Sequence, residues 1–129
     1  SVGSEPRQTA AGSLPDALDF ESRAWAESLR ASGAEGAAAL ERLHDLLLRA
    51  THSEARRRRH LYPEIGGPEL DDLCRQAADD AVLAVRRKLD GYRGASRFAT
   101  WAYGFAVFEV SVKLRRHRWR GGTIPTEPR

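Results

Sequence analysis

Five basic residues and a tryptophan crowd into Val110–Arg120: Lys113, Arg115, Arg116, Arg118 and Arg120, with Trp119 among them and no acidic residue. A helix C-terminus favours one or two cations through its dipole, not five. The surplus predicts contact with phosphates, whose neutralisation releases condensed counterions. A tryptophan among arginines is the residue type on which an unpaired base stacks. The chemistry expected is therefore recognition of a polyanion, nucleic acid before membrane.

The remaining candidates for chemistry are weaker. His44 and His52 stand two turns apart on one expected helix, too far to share a metal directly, and no HExxH-like spacing includes His60 or His117. Cys74 is the only cysteine and has no adjacent histidine to activate it, so a small buried thiol is expected. Asp71-Asp72 and Asp79-Asp80 are adjacent pairs. Neighbours on a helix point about 100° apart, so neither pair forms an acid–base dyad. They read either as a solvated helix face or as an acidic docking edge for a basic partner. Arg56–Arg59 encircles its helix and reads as a solvated end, with a polyanion contact as the alternative. No glycine-rich phosphate loop is present. The expectation is a protein without enzymatic activity, metal or cofactor.

Four helices are expected to position these residues. The first begins at Ser13-Leu14-Pro15-Asp16, with Ser13 or Leu14 as cap and Pro15 in the first turn. Leu14, Leu18, Trp25 and Leu29 form its apolar face, and Ser32-Gly33 ends it. The second runs from about Ala37 with Leu40, Leu43, Leu47 and Ala50 inward, until Pro63 disfavours helix at Tyr62. The third starts at Pro68 or Glu69, with Leu70, Leu73, Ala77, Ala81, Ala84 and Leu89 as its stripe. Acidic residues open it and Arg86, Arg87 and Lys88 close it, both as the helix dipole favours. The fourth starts near Ser96 as N-cap. Phe98, Trp101, Phe105, Phe108 and Val112 give it the strongest periodicity in the chain, and most of these rings are expected in the core. Gly121-Gly122 stops it. The expected fold is all-α, a compact bundle of about four helices in one domain over 14–120. A flexible arm precedes it at 1–13, and a linker or tail follows at 121–129.

Length and composition agree with one such domain. The chain has 129 residues, 41% hydrophobic and 30% charged, enough apolar character for a core. Its longest uncharged stretch, Phe98–Phe108, is too short to span a bilayer. A single cysteine and the absence of an export-like leader lead to the expectation of a reducing, cytoplasmic setting. The net charge of +3 hides an asymmetry: the first 54 residues carry 5 Lys/Arg against 9 Asp/Glu, and the remainder carry 16 against 9.

The segment Tyr92-Arg93-Gly94-Ala95-Ser96-Arg97-Phe98-Ala99-Thr100-Trp101-Ala102-Tyr103 resembles the FRG-x-S-x-F-x-T-W-x-Y segment of bacterial sigma factors of the extracytoplasmic-function group. Leu114-Arg115-Arg116 is similar to the basic ending of that family's helix, and Glu69-Leu70-Asp71-Asp72-Leu73 to the acidic start of the preceding one. The likeness covers roughly Leu40 to Arg120, the domain called region 2. Three departures mark the chain: Asp79-Asp80 stands where the family has Gln-Glu and the acidic start lies about one turn early, Val107-Phe108 stands where the family often has Arg-Asn, and the segment Leu14–Leu29 has no counterpart in it.

The resemblance implies a transcription initiation factor that binds the β′ clamp helices of core RNA polymerase. It also implies recognition and melting of the promoter −10 element on its non-template strand. Carried over by position, Asp71, Asp72, Leu73, Asp79, Asp80, Leu83 and Arg86 would face polymerase. Arg97, Phe98, Thr100 and Trp101 would approach the strand. Lys113, Arg115, Arg116, Arg118 and Trp119 would hold phosphates and the flipped base. An anti-sigma factor over the third helix is a further partner that the resemblance leaves open. So is a following domain that reads the −35 element, in which case the chain is a fragment. A helical protein-interaction module with an incidental basic tail is the alternative function.

Overall fold

The computed structural model describes residues 19–120, except for the Arg120 side chain. The expected arm at 1–13, the helix start at Ser13–Asp16, Leu14 and Leu18, and the tail at 121–129 lie outside the described residues. Within them are four α-helices and no strand: α1 Phe20–Arg30, α2 Gly33–Arg58, α3 Gly67–Lys88 and α4 Phe98–Arg120. Short 3-10 turns follow α2 at Arg59–Leu61 and α3 at Leu89–Gly91. The all-α bundle expected from periodicity is the fold observed, with successive helices running antiparallel.

The helix ends differ from expectation where tertiary partners supply the caps. Asp19, in extended conformation, caps α1, its carboxylate accepting from the Ser22 amide at 3.0 Å. α2 begins at Gly33, about one turn before Ala37. Gly33 has φ +70°, a left-handed turn that reverses the chain within two residues of α1. Gly36 packs so closely that a Cβ there would lie 2.0 Å from the Ala31 carbonyl oxygen. The break at Tyr62-Pro63 and the α3 start at Gly67-Pro68 fall as expected. The Glu69 carboxylate accepts from the Gly66 amide at 3.0 Å, satisfying a donor at the helix start. α4 starts at Phe98, so Arg97 and not Ser96 precedes it. Its first amide donates to the Ser22 hydroxyl of α1 at 2.9 Å.

The core has two parts. One gathers Leu43, Leu47, Ala81, Val85, Tyr92, Phe98, Ala102 and Ala106, flanked by Trp25 and Trp101. The other gathers Tyr62, Ile65, Leu70, Leu73, Cys74, Val110 and Leu114. Fully burying each leucine contributes about 1.5–3 kcal/mol. Along the α3–α4 seam the contact residues are small: Ala77, Ala78 and Ala81 on α3, Ala102 and Ala106 on α4, all fully buried.

Candidate nucleic-acid interface

α4 carries two apolar stripes. Phe98, Ala102, Ala106, Val110 and Leu114 recur every four residues and are buried. The expected stripe is a different one: Trp101 and Phe105 are half-buried and Phe108 is 61% exposed. The expectation that most of these rings sit in the core is corrected for Phe108. At about 100° per residue, Arg97, Trp101, Phe105, Phe108, Val112, Arg115 and Trp119 fall within about 40° of one line along the helix. That line begins with exposed Arg97 and ends with exposed Arg115 and Trp119, the tryptophan 66% exposed. Trp101 is held by a ring cluster, 4.9 Å from Tyr92, 5.6 Å from Phe98 and 5.0 Å from Phe105, spacings typical of favourable aromatic pairs.

The cationic end of α4 divides by depth. Arg115 and Arg116 are exposed. Arg118 is turned against the α2–α3 connection: it donates to the Leu61 carbonyl, lies 4.2 Å over the Tyr62 ring and 3.7 Å from Glu64. It therefore anchors the helix end. Lys113 is inside, its ammonium 2.6 Å from Asp80 and 3.0 Å from Glu109. Burial works against its charge, but the hydrogen bonds to Asp80 and Glu109 outweigh it and hold the pKa above the ordinary lysine value. Lys113 thus joins α3 to α4 and stands apart from the exposed cations. Phe98, wholly buried and stacked 5.2 Å from Trp25, is likewise a core residue. Arg97 and Thr100 are exposed at the other end of the helix.

On α3, Asp71, Asp72, Asp79, Asp80, Leu83 and Arg86 are exposed, whereas Leu73 is buried in the core. Each of the four aspartates already has a partner. Asp71 lies 3.5 Å from His52, Asp72 pairs with Arg75 and Gln76, Asp79 lies 2.8 Å from His44, and Asp80 holds Lys113. The acidic edge is therefore cross-linked to α2 and α4 while its outer side faces solvent. Leu83, 46% exposed, interrupts it.

The other candidates take structural places. The His44–Asp79 pair faces an open depression lined by Leu40, Glu41, Asp45, Val82 and Arg86, with no nucleophile beside it. Cys74 is buried, and burial, with the nearby charge of Asp71, pushes its thiol up to about 11, which suppresses the thiolate. Of the arginine run, Arg57 and Arg58 bind the buried Glu54 carboxylate, and Arg59 donates to the Ile65 carbonyl at 3.1 Å. Arg56 is exposed. Among the described residues, no group of three His, Cys, Asp or Glu is arranged to hold a metal ion. Nor, among the described residues, is any helix long and apolar enough to cross a membrane.

Arg86, Arg87 and Lys88 stand in the last turn of α3, where the helix dipole favours them, as expected. Sequence reasoning missed the exposure of Phe108, and it missed Ser22, because a hydroxyl capping another helix leaves no local pattern. The available signal for Phe108 was that α4 is apolar on both faces, more than one seam can bury.

In comparisons with protein families, with characterised proteins and with solved structures, nothing matches this chain.

Proposed function

We propose that this chain is a sigma-factor region 2 domain, which holds the melted non-template strand of the promoter −10 element along α4 and docks on the β′ clamp helices of core RNA polymerase through α3. One observation carries the reading: Arg97, Trp101, Arg115 and Trp119 share one line along α4, with both arginines and Trp119 exposed. Unstacking a base costs a few kcal/mol. Stacking it on an aromatic side chain returns about 1–3 kcal/mol. Each arginine–phosphate contact adds salt-dependent affinity. The strand-binding set is then Arg97, Thr100, Trp101, Arg115, Arg116 and Trp119. Lys113, Arg118 and Phe98 support it from within. On α3 the outward groups are Asp72, Asp79, Leu83 and Arg86, which make up the docking face of this reading.

The domain alone binds weakly, and polymerase supplies orientation and avidity. The test is a fluorescence titration of a −10 oligonucleotide with the polymerase complex at two salt concentrations. Arg115→Ala/Arg116→Ala is expected to weaken binding, with the larger loss at low salt. Equal affinity for variant and wild type at both concentrations overturns the phosphate role. Failure to co-purify with core polymerase, with oligonucleotide binding intact, removes the docking half.

A further inference from the structure

Beside the exposed line of α4 lies a groove of about 570 Å³ between the second half of α3 and the first half of α4. Trp101, Phe105 and Phe108 form one wall, Gly104 leaves its floor open, and Arg87 and Lys88 stand on the α3 side. A Cβ at Gly104 would meet nothing within 4 Å. Arg87 and Lys88 are both exposed. The one carboxylate in the groove, Glu109, shares the Lys113 ammonium, at 3.0 Å, with Asp80. What remains is a slot with ring faces on one side and two cations on the other.

We propose that this groove is a second base-binding subsite for single-stranded nucleic acid. A base inserts against Phe105 and Phe108, and its flanking phosphate meets Arg87 and Lys88. The inference rests on α4 being a strand-binding helix and extends that surface to α3. Phe108 and Trp119 lie about 16 Å apart along α4. Single-strand sites span about 4–16 nucleotides, so one strand reaches both. Aromatic faces beside cations are the recurring composition of such sites, because every base offers a π-face whatever its sequence. An acidic amphipathic peptide would find the same charge but would not require continuity with Arg115 and Trp119, which the groove has.

The full chain is titrated by anisotropy with labelled oligothymidines of about 4 and about 12 nucleotides, lengths that separate one subsite from two. Phe108→Ala is expected to weaken the long oligonucleotide by about fivefold or more, the worth of one stacked base, and to leave the short one unchanged. A side chain at Gly104 starts in open space beside the slot and replacing the glycine favours the helix, so an equal loss on the long strand in Gly104→Gln is not a folding effect. Arg87→Ala/Lys88→Ala flattens the salt dependence of the long strand only. Undiminished long-strand affinity in Phe108→Ala and Gly104→Gln overturns the subsite. If Arg115→Ala/Arg116→Ala still weakens both oligonucleotides, the α4 reading stands without it. Binding of neither oligonucleotide, alone or with polymerase, overturns both. An acidic amphipathic peptide that binds the groove without displacing the long strand assigns the slot to a protein partner and overturns the subsite.

Discussion

Lys113 shows how position decides the work of a charge. By sequence it belongs to a run of cations; by structure it is an internal tie between α3 and α4. Removing one partner of a buried ion pair leaves the other uncompensated, and Lys113→Met and Lys113→Ala both strand the carboxylates of Asp80 and Glu109. Both are expected to lower stability, Lys113→Met by less because its stem keeps the packing, while the folded protein keeps its oligonucleotide affinity within about twofold. Titration and denaturant melts of both variants check this; a loss of binding matching Arg115→Ala would return Lys113 to the phosphate contacts. Glu54 is the acidic counterpart. Burial opposes its charge, but hydrogen bonds from Arg58 and Arg57 prevail and hold its pKa below the usual glutamate value of 4.5. Its contribution is thus present above about pH 4.5 and is lost as the pH falls through the lower folded value. Glu54→Gln is expected to cost about 1–3 kcal/mol at neutral pH. Its denaturation midpoint should then fall less steeply than wild type below pH 4.5. Parallel curves would mean that the carboxylate is not the stabilising group.

Among the elements, α4 depends on a neighbour for its start. The buried Ser22 hydroxyl of α1 accepts from the Phe98 amide, one of the donors a helix cannot satisfy within itself. Ser22→Ala leaves that amide buried without a partner and is expected to cost about 1–3 kcal/mol. Ser96→Ala, at the cap position suggested by sequence, should cost less than about 0.5 kcal/mol. Thermal melts of the two distinguish a tertiary cap from a local one. The helices themselves were legible because leucine and alanine spacing in α2 and α3 follows the helical period, and Pro63 and Pro68 mark the breaks. The inward face of α4 was not. Phe98, Trp101, Phe105 and Phe108 have the period of a buried stripe, but so do Phe98, Ala102, Ala106 and Val110. Only the alanines of α3 select between them, and these lie outside any local window. For the same reason the cluster of α4 cations was legible as a cluster, but not which of its members point out.

Across the molecule, the second part, basic on balance, also carries the acidic residues that tie the helices together. Asp71 and Asp79 on α3 engage His52 and His44 of α2, and Asp80 engages Lys113 of α4. Along α4 the exposed cations are Arg115 and Arg116 at one end and Arg97 at the other, with Arg87 and Lys88 beside it. A strand lying along α4 and into the groove would neutralise about three to five of them. For single strands, the logarithm of affinity falls with the logarithm of salt at about 0.7 per phosphate contact, giving a slope of about −2 to −3.5. Arg115→Ala/Arg116→Ala should reduce its magnitude by about 1.4, and Arg87→Ala/Lys88→Ala by a similar amount on a long strand only. Lys113→Met should leave it unchanged, because an ammonium already neutralised by two carboxylates releases no counterion from the strand. A slope near zero for the wild-type chain would separate the exposed arginines from any role in holding nucleic acid. Equal slopes in all three variants would place the phosphate contacts elsewhere on the bundle.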